Sequence, residues 1–412
     1  MRARRELRDS VRNHADDRLR YAARMQRRAW LPFVIACVAC IGCGHASSSV
    51  DGSATVGDDL GGGARDLAAS DSRDLASATT RFVYVSGYST TIARYTLDAA
   101  TGALTPMGTT TATGTPSFLA FDAARRHVYA VDEANSKVEA FAVDATTGAL
   151  THLGSDVGSG GSGPAHLTVD GSGKWVLVAN YGSGDVGILP IAADGSVGAG
   201  TSLHAGVNAH EVVLDSGNRF AWVPCLGSNY IAQYSFDAGA GTLTPQTPTT
   251  VTTPAGSGPR HLALHPTRAL AYLIEESDSM VAAYTIGAAG TLTLLQRQST
   301  RASGATGSNT GAEVQVHPSG NFVYVSNRGD DDIGVFSVGS DGKLTAIAHT
   351  KTGGQTPRHF SLDASGRWLL VANQGSGDVR VFAIDAAAGT LTPAGAPVSA
   401  TMPSFVGVIA LP

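Results

Sequence analysis

Charged residues are scarce in this chain: Asp, Glu, Lys and Arg make up only 15% of its 412 residues. Their distribution excludes a class of partner. The first 43 residues hold ten arginines and four acids, which leaves the rest with 19 basic and 30 acidic residues, a net of −11. A body of that charge, without a basic run, offers nothing to a nucleic-acid backbone. Cysteine is scarcer still. Cys37, Cys40 and Cys43 lie near the start and Cys225 stands alone in the body, so cysteines there can build neither a disulfide framework nor a zinc site. A solitary Cys without a basic partner reads as a small buried apolar residue, not a nucleophile. Aromatics amount to 7%, and no stripe suited to stacking sugars stands out. No Gly-x-Ser-x-Gly elbow occurs, so a Ser-His-Asp hydrolase is unsupported. The histidines are spread along the chain and not paired at ligand spacing, so we expect neither a metal nor a cofactor.

What is abundant is glycine, 50 residues of it, together with Thr, Val and Ser, a composition that favours strands and turns. Residues 25–43 run from a short basic segment through an apolar stretch to small residues before Cys43. This is a signal-peptide pattern; Trp30 to Gly42 is too short for a good spanning helix. Ile41-Gly42-Cys43 resembles the lipobox of bacterial lipoproteins, which implies cleavage before Cys43 and a lipid on its thiol. Cys40 stands where Leu is usual, Val34-Ile-Ala-Cys37 also fits loosely, and Met25 is an alternative start. Residues 44–80, rich in Ser, Gly, Ala and Asp, carry too little apolar surface to fold alone and read as a flexible tether. The expected location is the cell envelope, as a lipoprotein of the periplasm or outer membrane of a Gram-negative bacterium, touching the membrane through its lipid only.

From Arg81 onward the chain is periodic. An apolar run recurs every 45 to 52 residues or so: FVYVSGY (82–88), HVYAVDE (127–133), WVLVANY (175–181), FAWVPCL (220–226), LAYLIEE (270–276), FVYVSNR (322–328) and WLLVANQ (368–374). Each is preceded by an alternating run, such as PRHLALH (259–265), and followed by a third run and a Gly-x-Leu-Thr signal, as at Gly102, Gly148, Gly241, Gly342 and Gly389. Four strand-length runs per unit and seven units predict an all-β fold, a seven-bladed β-propeller with four antiparallel strands per blade. Strands A to D run outward from the channel, and blades 1 to 7 are counted by their A strands, which begin near residues 116, 164, 209, 259, 311, 357 and 403. The domain, 81–412, begins on a B strand and ends on an A strand, so the C-terminal strand should pair with the first B strand and close the ring. Two stacked sheets are the weaker alternative.

This topology gathers the start of every A strand and the end of every B strand at one mouth of the channel. Arg260, Arg328, Arg358, Glu276, Glu313, His166, His210, His261 and His359 fall there, with Asn180 at the end of a B strand. Arginines in such a place can hold a carboxylate or phosphate and stabilise an oxyanion, and a Glu or His can activate water. The competing reading is a set of ion pairs bracing the blades. Asp132 and Glu133 read as a solvated turn. His265 and His317, at the far ends of A strands, read as structural.

Gly258-Pro-Arg-His-Leu-Ala-Leu-His-Pro266, Phe322-Val-Tyr-Val-Ser-Asn-Arg-Gly329, Thr356-Pro-Arg-His-Phe-Ser-Leu-Asp363 and Leu370-Val-Ala-Asn-Gln374 resemble the seven-bladed propeller lactonase family of cycloisomerase-type 6-phosphogluconolactonases and 3-carboxymuconate cyclases. The resemblance covers about 81–412. It implies an active site of His210, Arg260, Glu276 and Arg328, all four already placed at the mouth by topology. It departs at Cys225-Leu-Gly-Ser-Asn229, where many relatives carry Asp-Leu-Gly-x-Asp. The expectation is a metal-independent lactone hydrolase in which Arg260 and Arg328 bind an anionic group and the oxyanion and Glu276 or His210 activates water. Arg358, His166, His261, Glu313 and Asn180 are expected to contact substrate. A non-enzymatic ligand- or protein-binding propeller and a carboxymuconate-type cycloisomerase are the alternatives. The expected partner is a small, anionic lactone, and the expected state a monomer.

Overall fold

The computed structural model describes residues 80–411; the export signal, Cys43 and almost all of the tether lie outside the described residues. Seven four-stranded antiparallel sheets make up the propeller. The ring closes as the repeat predicts. Pro403–Ala410 pairs antiparallel with Arg81–Gly87, Val83 opposite Val408, and so becomes the A strand of blade 7.

The burial of each strand follows its place in the blade. B strands such as Leu270–Glu275 and Trp368–Asn373 are buried at every position, because sheets pack on both of their faces. The outermost Leu104–Thr111 is largely exposed. The apolar core therefore lies between blades. One cluster joins Leu270, Tyr272 and Ile274 of blade 4 to Val314, Val323 and Val325 of blade 5; another joins Leu370 and Ala372 of blade 6 to Val83 and Val85 of blade 7. The Gly-x-Leu-Thr signal has a packing cause as well as a turn cause. Gly241 adopts φ +65°, and a Cβ there would come within 2.5 Å of the Trp175 ring in the preceding blade, so only glycine lets the turn slide under its neighbour.

Blade 3 departs from the expected pattern. Its A strand, predicted over 209–215, is a ladder only at Val213–Leu214, with one further bridge between Ala209 and Cys225. Pro224 in the facing B strand accepts from the His210 amide at 2.9 Å but has no N–H to return, which interrupts the ladder.

A bulge marks the mouth end of most A strands. In blade 4, Pro259 pairs with Glu275 and His261 with Ile274, which leaves Arg260 as the extra residue. The same offset singles out Ser117, Ala165, Arg358 and Ser404. In each case a proline opens the strand with no amide to donate, and the residue after it is released from the ladder and re-aimed.

Candidate active site

All five bulged residues line one narrow opening, together with Tyr88, Glu133, Phe118 and His210, His261 and His359. The inner strands thus contribute two tiers. Bulged residues form the upper tier, and the residues that follow them form a tier of rings across the channel. Phe118 lies 4.4 Å from His166, 4.8 Å from Phe405 and 5.3 Å from His359 between ring centroids, and His261 lies 5.0 Å from His210 and 5.9 Å from His166.

Arg260 is the hub of the upper tier. Its Nη1 donates to Glu276 Oε2 at 2.7 Å and to His210 Nε2 at 2.5 Å, and its Nε donates to the Ala312 carbonyl at 2.7 Å. Arg328 Nη2 approaches the same Glu276 oxygen at 3.0 Å. Glu276 and Arg328 do not line the opening themselves and adjoin it through Arg260. Burial works against the Glu276 charge, yet Arg328, Arg260 and Arg358 more than offset it and hold the carboxyl at about 2. Burial, only partly compensated by Glu276, lowers Arg328 to about 10. Arg358 is placed differently. Its Nη2 donates to the Tyr88 hydroxyl at 3.1 Å, which donates to Glu133 at 2.9 Å, and among the described residues no carboxylate pairs with its guanidinium directly.

Beneath, Glu313 Oε2 lies 2.8 Å from His261 Nδ1 and 3.5 Å from His359 Nε2. Glu211 faces His166 Nε2 at 3.5 Å and accepts from the Leu262 amide at 2.5 Å. Burial pushes Glu211 well above the usual carboxylate range and Glu313 above it. Burial, reinforced by nearby Arg260, drives His210 and His261 well below 6.5, while His359 falls to about 4. These imidazoles are neutral at neutral pH.

The structure therefore brings His210, Arg260, Glu276, Arg328, Arg358, His261, Glu313 and His166 together. It does not bring Asn180 to the opening. That side chain is fully buried, donating to the Ser159 carbonyl at 3.0 Å and accepting from its hydroxyl at 2.6 Å; Asn327 holds Thr300 in the same way in blade 5. Strand alternation explains it: Asn180, the last residue of the strand Trp175–Asn180, faces the packed sheet, and the residue after it faces the mouth. Asp132 and Glu133 are not a solvated turn. Asp132 is buried and caps Thr115 and Asn135, and Glu133 accepts a hydrogen bond from the Tyr88 hydroxyl beside Arg358. Ser117 and Ser404 were legible as strand starts, but their place on the cavity depends on the bulge; the proline before each is the signal that could have found it.

Among the described residues, one group of three side chains, Glu139, His152 and Asp156, is close enough to hold a cation. Its oxygens already accept from the Thr113 and Gly114 amides and the Thr113 hydroxyl, so it pins the loop before the blade 1 A strand. Burial raises the Cys225 thiol to about 12, consistent with a small packed residue.

A family model described as Lactonase, 7-bladed beta-propeller, matches residues 82–408. The 6-phosphogluconolactonase of Pectobacterium carotovorum is 35% identical over 192 residues, 46% of this chain and 58% of that protein; that of Serratia proteamaculans is 33% identical over 186 residues, 45% and 56%. The matched stretch is thus little more than half the length of these curated relatives. Among solved structures, the periplasmic gluconolactonase of Pseudomonas aeruginosa superposes with a TM-score of 0.76 at 28% identity, over 81% of this chain and all of that one. A protein of Lactobacillus plantarum gives 0.74 at 30% identity, over 80% and 99%. With the fold, the mouth and the family model in agreement over the same residues, this chain belongs to the seven-bladed β-propeller lactonase family.

Proposed function

We propose that the chain is a lactone hydrolase whose substrate enters the opening above Arg260 and Arg358. One observation carries this reading: strand bulges present two guanidinium groups to a single cavity, and only one of them is ion-paired to a carboxylate. Arg358, which lies over the Tyr88 ring and donates one Nη to its hydroxyl, is free to take a substrate carboxylate or phosphate in a fork. Arg260, with Arg328 behind it, faces the position where negative charge grows on a lactone carbonyl oxygen, and fixed donors in such a site are worth most in the transition state. Glu276 holds these two arginines in register. Of the residues expected to activate water, Glu276 sits under two guanidinium groups and His210 accepts from Arg260 through Nε2. The names of the relatives, 6-phosphogluconolactonase and gluconolactonase, fit a sugar lactone.

The test is hydrolysis by the purified full chain, read with a pH indicator in EDTA, across glucono-, 6-phosphoglucono- and carboxymuconolactone and acyl-homoserine lactones. Turnover of one class, lost in Arg260→Ala, is the expected result. No turnover of any by a folded protein would leave a ligand-binding propeller. We also infer export and lipid attachment at Cys43 from the sequence pattern; a mature chain still carrying residues 25–42, or a Cys43 without lipid by mass spectrometry, would refute it.

A further inference from the structure

The ring tier permits an accounting of nitrogen lone pairs, and that accounting singles out one histidine. His166 Nδ1 faces the Val212 amide at 3.5 Å and His359 Nδ1 the Val406 amide at 3.3 Å, while the Nε2 of each turns to a glutamate. His210 uses its Nε2 lone pair on Arg260 and is left with a buried Nδ1–H that has no acceptor. His261 is the reverse. Its Nδ1–H is held by Glu313 at 2.8 Å, and its buried Nε2 has no partner. A neutral imidazole carries one donor and one acceptor. With the donor fixed by a carboxylate, the unused atom of His261 is an acceptor, and the ring that bears it borders the opening.

We propose that His261 takes the proton from the attacking water through Nε2, and that Glu313 is its positioning residue. This rests on the lactone-hydrolase reading above. The water oxygen bonds to the lactone carbonyl carbon as its O–H bond breaks toward His261 Nε2; the oxyanion faces Arg260. Collapse of the tetrahedral adduct breaks the ring C–O bond, and the leaving alkoxide recovers the proton from His261. Water is consumed and a hydroxy acid is formed. Glu313 fixes the tautomer and shields the transient imidazolium, the role a carboxylate plays behind a catalytic histidine. Glu276 lacks the geometry for this role because its Oε2 is engaged by both Arg260 and Arg328 and it does not line the opening.

The groups facing His261 are Glu313, Glu276, Arg260, Arg328, Arg358, His210, His166 and His359. Burial and the arginines keep His261 unprotonated before substrate arrives. An anionic substrate on those arginines removes part of that repulsion, so the base strengthens when it is needed.

Two measurements on the full chain test this. The first is the ¹⁵N spectrum of the histidines in the wild type. The expected form of His261 is protonated on Nδ1 and bare on Nε2; the opposite tautomer overturns the proposal whatever the activity. The second uses the lactone turned over fastest by the wild type. In a folded His261→Gln variant kcat should fall on the order of 10²–10⁴-fold with KM little changed, and added imidazole should restore turnover to His261→Ala but not to His210→Ala. Glu313→Gln should move the acid limb of kcat/KM to lower pH, since the imidazolium loses its counter-charge; a merely structural role would lower the plateau and leave the limb in place. Wild-type kcat in His261→Gln overturns the assignment of the base alone. A wild type inactive on every lactone overturns the hydrolase reading, and this one with it.

Discussion

His261 lies in the strand Pro259–Leu264 and His265 just past its far end, and they do opposite things. At the far end, His265 Nδ1 accepts from the amides of Thr267 and Arg268, and its Nε2 meets the Gly320 carbonyl at 3.0 Å. The same end of blades 2 and 6 makes this closure with aspartate: Asp170 Oδ1 accepts from Lys174 and Trp175, and Asp363 Oδ1 from Arg367 and Trp368. Polar groups there are mostly satisfied within five residues of sequence. At the mouth they reach from blade to blade over about fifty, and several buried atoms stay unpaired, among them His210 Nδ1, His261 Nε2, Arg328 Nε and Ser117 Oγ. Buried polar atoms are ordinarily matched, and unmatched ones in a native fold call for a reason. On the function proposed above, the mouth is the face that receives a ligand.

The sharpest way to break this contrast is Arg260→Ala. It should reduce kcat/KM on the active lactone by 10²-fold or more, and it should also lower the melting temperature, because Glu276 loses one counter-charge and His210 its donor. Unaltered kcat/KM would make the mouth a brace like the far face. Next comes Asp363→Ala, expected to cost about 1–3 kcal/mol in urea unfolding through the loss of a buried turn cap and to leave kcat/KM as in the wild type. A catalytic defect there would erase the division between the faces.

How much of this was legible follows the same division. Periodicity showed the ring, its closure and the mouth where A strands begin and B strands end, since apolar alternation and turn residues are local signals. It also placed Arg260, Glu276 and Arg328 correctly on one rim. It could not orient Asn180, which needed the parity of the B strand, or recognise Glu133 as a partner of Tyr88, because those residues are 45 apart and meet only across a blade boundary. The interrupted strand of blade 3 was written in Pro224, a residue read as part of an unbroken apolar run.

A pH series sharpens the contrast further. The Glu276 carboxyl is held at about 2 against an ordinary value of 4.5, so its stabilising contribution is full above about pH 4.5 and disappears as pH falls toward 2. The melting temperature of the wild type should exceed that of Glu276→Gln at pH 6, and the gap should close across that window. A gap independent of pH would mean that the charge is not what Glu276 supplies. The smallest effect is expected at Cys225, fully buried with its thiol raised to about 12. Iodoacetamide should leave it unmodified until the domain unfolds; labelling of the native protein would show that blade 3 opens on its own.

Ring closure carries a consequence for biosynthesis. The strand Pro403–Ala410 pairs with residues more than 300 positions earlier, so the contact that seals the ring is the costliest in loop entropy and the last to become available to an emerging chain. Two sheet edges stay open until then. The same strand supplies Ser404 and Phe405 to the mouth. A chain lacking Pro403–Ala410 would lose its seal and part of its mouth together, so the mouth stays incomplete until that strand has emerged.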